Sequence, residues 1–393
     1  MDSAQSDHLK AYGVVFNSLV DGGTADWLLN YKGGSFVVDY SKKTVLKCRA
    51  AGVSFSQISS SDLVDIYSLV QSNEQNTEEI RLEKAPEIAV YVPPGFQPWD
   101  DAVTLALEYA EVKYDKIWIE EILRGDLDKY DWLHLHHEDF TGQYGKFYNS
   151  FRNAPWYIEQ QQLYENEAKR LGFSKVSQME LAVARSIKEY IAGGGFLFAM
   201  CSATDSYDIA LAAHNTDIAE RMYDGDAADP DAQEKLDFSN TLAFENFILE
   251  MNPLVYEYSN IDIQPNEIGN QNNDYFTLFD FSAKYDPVPT MLNQNHVNVI
   301  KGFMGQTTMF RKNLIKKSVY VLAERAGSDQ VKYIHGNYGR GTFTFYGGHD
   351  PEDYQHAVGD PPTDLSLYKN SPGYRLILNN ILFPAAKKKK QKT

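Results

Sequence analysis

The apolar positions of this chain fall into short runs separated by stretches with helical spacing. Strands laid parallel and covered by helices have this rhythm. Ile88-Ala-Val-Tyr-Val92, framed by Pro86 and Pro93, reads as a buried strand. Helical spacing over 99–114 follows, with Asp100 and Asp101 in the first turn, where carboxylates suit the helix dipole. Lys116-Ile-Trp-Ile119 and Trp132–His136 read as further strands. A helix over 177–192 places Met179, Ala182, Ile187, Tyr190 and Ile191 at helical spacing and stops at Gly193-Gly-Gly195. The strand to Cys201 and a helix over 206–215 come next. Strand-like runs resume at 317–322, 330–334 and 342–346, and a helix over 372–382 closes the fold.

Upstream, residues 1–84 read as a smaller α/β layer. It holds a helix over 6–20, strands 26–31, 35–40 and 53–56, helices 41–51 and 60–72, and a polar linker over 71–84. Its first helix has no strand before it, so the expectation is a unit begun midway, with an upstream strand and export signal preceding residue 1. Residues 140–176 read as a long connection carrying Tyr144, Phe147, Tyr148, Phe151, Trp156 and Tyr157, a cluster suited to carbohydrate or protein contact or to core packing. Residues 216–300, rich in Asp, Asn and aromatics, read as a large insertion.

Composition narrows the function classes. A length of 393 residues suits two domains or one large decorated one. The net charge of −17 repels nucleic acid and anionic membrane over most of the surface. The exception, the lysine-rich tail 387–393, reads as a solvated end. Two distant cysteines, Cys48 and Cys201, make no disulfide framework. No apolar run approaches the ~18 residues a membrane span needs.

The candidate chemistry lies just after apolar runs. Cys201 ends Gly193-Gly-Gly-Phe-Leu-Phe-Ala-Met-Cys201, with Ala199 and Ala203 two places to either side, as a tight strand-to-helix turn requires. The helix that follows favours thiolate. His349 ends Gly341-Thr-Phe-Thr-Phe-Tyr-Gly-Gly-His349, where Gly348 lets backbone approach a ligand and Asp350 or Glu352 can orient the ring. His136, His137 and Glu138 follow the third such run and are assigned to lining a substrate, with Ser202 and Gly348. If the three runs are neighbouring parallel strands, these groups meet at one sheet edge. Adjacent strand residues face opposite ways, so His136 and His137 cannot share a metal while the strand continues, and no His-Glu-x-x-His signature occurs. The reading therefore assigns no metal. Asp224–Asp229 lacks the later residues of an EF-hand loop and reads as a solvated acidic loop. No Gly-x-x-x-x-Gly-Lys-Ser/Thr or Gly-x-Gly-x-x-Gly sequence occurs, so no nucleotide cofactor is indicated.

Around Cys201 and His349 the chain resembles the class I glutamine amidotransferase-like superfamily, and its ThuA-like branch through Tyr338-Gly-Arg-Gly-Thr-Phe-Thr-Phe-Tyr-Gly-Gly-His349. The resemblance covers roughly 85–385. Leu9-Lys-Ala-Tyr-Gly13, Trp27-Leu-Leu-Asn-Tyr31 and Trp132-Leu-His-Leu-His-His-Glu-Asp-Phe-Thr-Gly-Gln143 resemble Bacteroidetes proteins labelled asparagine synthetase B. That label implies an N-terminal cysteine and a Ser-Gly-Gly-x-Asp-Ser loop, and this sequence has neither. The group's frequent export signals imply the periplasm or cell envelope. The superfamily's elbow is usually Gly-x-Cys-x-Gly, here Ala-Met-Cys-Ser-Ala, and its histidine usually precedes Pro-Glu, here separated by Asp350.

The expected fold is therefore α/β: a flavodoxin-like parallel sheet with helices on both faces over 85–386, an N-terminal layer over 1–84 and an insertion at 216–300. The expected function is an amidotransferase-like cysteine hydrolase acting on an amide or related small polar substrate. Cys201 attacks, His349 acts as base and then acid, and Glu352 or Asp350 orients it. No cofactor is expected. The alternative is a non-catalytic binding or assembly protein of the envelope, contacting protein or carbohydrate, that retains the fold.

Overall fold

The computed structural model describes residues 1–94, 101–263, 265–268, 274–287, 297–355, 357 and 359–386; Asp100 and the lysine tail lie outside them. The strands are β1 (Ala25–Leu29), β2 (Ser35–Val38), β3 (Glu78–Leu82), β4 (Ile88–Tyr91), β5 (Asp115–Ile117), β6 (Trp132–Leu135), β7 (Phe196–Met200), β8 (Tyr275–Leu278), β9 (Val299–Lys301), β10 (Phe310–Arg311), β11 (Tyr320–Glu324), β12 (Gln330–Tyr338) and β13 (Gly341–Tyr346). The helices are α1 (His8–Val20), α2 (Lys42–Ala51), α3 (Ser60–Gln71), α4 (Ala102–Tyr109), α5 (Ile119–Arg124), α6 (Tyr148–Phe151), α7 (Pro155–Arg170), α8 (Val176–Gly193), α9 (Ala203–Ala212), α10 (Arg221–Asp224), α11 (Pro265–Ile268) and α12 (Pro372–Leu382).

Strands β4, β5, β6, β7 and β13 lie in the spatial order β5-β4-β6-β7-β13 and pair parallel throughout. In chain order that is 2-1-3-4-5, the flavodoxin-like arrangement, whose switch point falls between the first and third strands, here β4 and β6. The α/β fold expected from the alternation is thus present, with helices on both faces. Helices α1, α4 and α12 pack together with Trp132, Phe198, Met200 and Tyr346 on one face. Helices α5, α7, α8 and α9 cover the other with Leu133, Leu135, Leu197 and Phe345.

Beyond β13 the sheet changes character. β12, β11, β8 and β9 continue it antiparallel, and β10 pairs with β12. The segment 216–300 thus supplies β8 and most of β9, the outermost pair of strands on that side of the main sheet. The N-terminal layer is a separate antiparallel sheet, β2-β1-β3, joined to the main body by one continuous apolar core. The stretch expected as linker contains β3, in which Ile80 and Leu82 alternate inward between charged residues. Residues 53–56 form no strand.

In the 140–176 connection, α7 escapes notice because its buried positions are Tyr157, Tyr164, Glu167 and Ala168 rather than a stripe of leucines. Tyr144 and Tyr157 are buried in the core, and Phe147, Phe151 and Trp156 pack on it. Core packing accounts for these five aromatics.

The join between the N-terminal layer and the sheet is tight at one glycine. A Cβ on Gly13 of α1 would lie 1.7 Å from the Ala110 carbonyl oxygen at the end of α4. Gly13→Ala is therefore expected to lower stability by at least about 1–3 kcal/mol, the usual cost of overpacking. Gly193→Ala, a helical position with nothing within 4 Å of the new Cβ, should be neutral or gain up to ~1 kcal/mol. Urea unfolding of both variants checks this, and equal behaviour would mean that α1 does not press on α4.

Candidate functional site

The carboxyl ends of β4, β6, β7 and β13 point to one edge, and the side chains that follow them converge there. After β4 the chain enters α4 through its N-cap Asp101, whose Oδ1 accepts from the amides of Val103 (2.8 Å) and Thr104 (3.1 Å). The same oxygen faces His134 Nε2 at 3.1 Å and His136 Nδ1 at 3.2 Å. The second approach is bent, an electrostatic contact more than an aligned hydrogen bond. Burial alone would raise the Asp101 carboxyl, but the two rings hold it well below the usual carboxylate range. Burial lowers the His136 ring, and Asp101 opposes that.

The donor pattern follows from these partners. His134 Nδ1 lies 3.1 Å from the Phe198 carbonyl, which can only accept, so both nitrogens of His134 meet acceptors. His136 turns Nδ1 to the carboxylate and therefore keeps its proton there. Its Nε2 then offers a lone pair, 3.0 Å from His349 Nδ1. His349 in turn carries its proton on Nδ1 and presents Nε2 as the lone-pair side. The rings of His136 and His349 cross edge to face at 4.4 Å. Strand β6 ends at Leu135, so His136 and His137 no longer alternate as strand neighbours, and His137 also stacks near His349 at 6.0 Å. The geometric objection to the two histidines sharing a face therefore lapses.

Cys201 sits where β7 turns into α9. Its φ is +49°, a left-handed backbone that a cysteine adopts only under constraint. Its amide donates to the Gly348 carbonyl (3.2 Å), which ties the ends of β7 and β13 together. The Gln306 amide donates to Sγ at 3.3 Å. Burial pushes the thiol up to about 11, while the Thr307, Gln306 and Ser202 amides pull the other way. Cys201 is 3 % exposed. Beside it, burial raises Asp205 to about 7 and Glu138 to about 8. Glu138 accepts from the His136 amide (2.6 Å), and Asp205 accepts from the Thr307 hydroxyl (2.8 Å). Ser202 is fully buried, with its hydroxyl unpartnered among the described residues.

The loop over 303–308 roofs this edge. Lys332 holds it from below, donating to the carbonyls of Phe303 (2.5 Å) and Thr308 (3.0 Å). A Cβ on Gly348, whose φ is +90°, would meet the Phe303 ring at 2.5 Å and Lys332 Nζ at 2.6 Å, so only glycine lets the roof close. Gln306 ties the roof to the loop after β6 by donating to the Gly145 carbonyl (2.7 Å).

The structure brings Cys201, Ser202, His136, His137, Glu138, Gly348 and His349 to one edge. Glu352 goes elsewhere: its carboxyl bonds the Ser371 hydroxyl at the N-cap of α12, and burial raises it. Asp350 is buried and accepts from the Glu352 amide (2.8 Å), closing a turn. The His349 ring meets His136 through Nδ1. A carboxylate does stand one ring further along: Asp101, at His136 Nδ1. Sequence reasoning gave Asp101 only a helix-dipole role. The available signal was its position, an N-cap directly after a buried strand at the switch-point edge.

No protein-family model matches the chain, and no curated protein does. Among solved structures it is similar to a cytoplasmic protein of Salmonella typhimurium, with 11% identity over 77% of this chain and 100% of that one, at a TM-score of 0.36. A second cytoplasmic protein, from Salmonella typhimurium LT2, gives the same identity and coverage at 0.37. Likeness at that level carries no argument about function.

Removing the Asp101 charge takes away the carboxylate that His134 and His136 both face and that two helix amides donate to. Asp101→Asn is expected to cost about 3–5 kcal/mol. Asp101→Asn combined with His134→Leu should cost less than the sum of the single changes, because the two share one interaction. Urea unfolding of the four-member cycle measures this, and strict additivity would show that the pair is uncoupled.

Proposed function

We propose that this chain is an amidotransferase-like cysteine hydrolase acting on an amide or a related small polar substrate. The observation that carries the reading is Cys201 itself: a left-handed residue on a strand-to-helix elbow, its sulfur ringed by main-chain amides, at the tip of a strand paired to the one that delivers His349. Such strain persists where a nucleophile must be held proud of a sheet. In this reading His349 Nε2 takes the thiol proton. The sulfur adds to the amide carbonyl, and the Ser202 amide faces the developing oxyanion. The same proton then passes to the departing amine, and water hydrolyses the thioester. His136, through Nε2, sets the His349 tautomer. His136, His137 and Glu138 line the substrate side. The family resemblance supports the same assignment and, through its export signals, a place in the periplasm or envelope.

The burial of Cys201 favours a second reading, a binding or assembly protein that keeps the elbow without the chemistry. Capture of a stoichiometric protein or carbohydrate partner that survives Cys201→Ala supports it. A turnover abolished by that substitution excludes it.

A thiol held up to about 11 has little thiolate at neutral pH and needs a base. Iodoacetamide at pH 7.5 should alkylate Cys201 on the order of 10²-fold more slowly in His349→Ala than in the unmodified chain. The two rates should converge as the pH nears 11, where the thiol ionises unaided. Peptide mapping, with the buried Cys48 as internal reference, reads both rates. Equal rates at pH 7.5 would refute the dyad.

A further inference from the structure

We propose that His136, His137 and His349 form a binding site for one divalent transition-metal ion, of the Zn²⁺ type, at the switch-point edge of the sheet. One ring nitrogen from each of the three residues lies within 4.8 Å of the others. The facing nitrogens of two of them, His136 Nε2 and His349 Nδ1, are 3.0 Å apart. Bonds of ~2.0–2.1 Å in tetrahedral geometry put ligand nitrogens roughly 3.3 Å apart, so the pair needs to open by only a few tenths of an ångström to admit an ion between them.

The donor set selects the class of metal. Three imidazoles and no oxygen cage suit Zn²⁺ and its neighbours in the first transition row, and do not suit Ca²⁺ or Mg²⁺. Three protein ligands leave a fourth position for water or substrate, the pattern of reactive rather than structural sites. The surroundings agree. Asp101 stands behind His136 on the far side of the ring, at Nδ1, as the carboxylate behind a ligating histidine usually does, and it fixes the tautomer that exposes Nε2. The neighbouring trio of Asp101, His134 and His136 is equally close-set. It is a poorer site, because Asp101 Oδ1 is already taken by two helix amides and His134 Nδ1 by the Phe198 carbonyl.

Occupancy has a consequence for the dyad and rests on that reading. A neutral His349 bound through Nδ1 carries its proton on Nε2 and is no longer a base for Cys201. The metal-loaded chain is therefore expected to be resistant to alkylation, and the metal-free chain reactive.

The test uses the full chain, freed of metal by chelation and titrated with Zn²⁺ by calorimetry and with Co²⁺ by visible spectroscopy. One ion per chain is expected, with the intense visible bands of four-coordinate Co²⁺. His137→Gln and His349→Gln should each weaken binding by 10²-fold or more. Asp101→Asn should weaken it 10- to 100-fold, as loss of the carboxylate behind a ligating histidine does. Circular dichroism checks that each variant folds, and His137, only partly buried, is the substitution least costly to the fold. No binding by the unmodified chain, or binding indifferent to all three substitutions, would overturn the site. If metal binds and Cys201 alkylation is unchanged by it, the site stands and His349 is not the base. If no metal binds and alkylation still depends on His349, the dyad stands and the metal site falls.

Discussion

The carboxylate of Asp101 is the constraint on which this edge depends. One buried oxygen accepts from two helix amides and faces two imidazoles. A buried carboxylate costs several kcal/mol in lost hydration. At an effective dielectric of 20, one charge partner at close contact returns about 4 kcal/mol, so the arrangement holds only because donors surround the oxygen on several sides. The consequence passes along the site. Asp101 faces His136 Nδ1, and His136 Nε2 meets His349 Nδ1, so each ring fixes the tautomer of the next. A helix cap and the anchor of a line of imidazoles are thus one interaction. Because it joins the loop after β4 to the end of β6, it also pins the crevice at the switch point, where the order of the parallel strands reverses.

The parallel half of the sheet was legible in the sequence because each strand, buried on both faces, is a continuous apolar run. Ile88–Tyr91, Trp132–Leu135 and Phe196–Met200 are apolar or aromatic at nearly every position and need no periodicity to be seen. Where burial is one-sided the signal weakens. β3 buries Ile80 and Leu82 behind glutamates and an arginine, and its alternation passes for a polar linker. α7 buries tyrosines and a glutamate, which a hydrophobic count does not weigh. The antiparallel extension was partly visible as runs near 320 and 331, but their direction is fixed by short turns and by pairing that no local pattern encodes.

For the site, the strand-end rule located its residues and missed its connections. Cys201, His136 and His349 follow apolar runs, so a parallel sheet brings them to one edge whatever the loops do. Which ring meets which carboxylate depends on side-chain direction and on residues far apart in sequence. Glu352 stands three residues from His349 and bonds Ser371, the N-cap of α12, whereas Asp101 reaches His136 from 35 positions upstream. The roof over 303–308 left no recognisable trace in the sequence, since its role rests on main-chain amides and on the absence of side chains at Gly348 beneath it.

Burial is what makes the edge chemically unusual, and it acts on its groups in opposite directions. It raises the Cys201 thiol, Glu138 and Asp205, which favours their neutral forms, and it lowers His136, which also favours the neutral ring. The only strongly held charge among these groups is the Asp101 carboxylate. A site built this way stores no ready nucleophile. It stores a thiol in a strained turn, amides that would welcome negative charge on or near it, and a His136 ring that burial keeps toward its neutral form, with Nε2 turned to His349. A species that delivers positive charge to the ring lone pairs, a proton or a cation, is held by them. A transferring proton does so briefly during thiol chemistry, and a bound cation would do so at rest. The same electrostatic design therefore supports both the base role of His349 and the capture of a metal by its other nitrogen, and His349 cannot serve both at once.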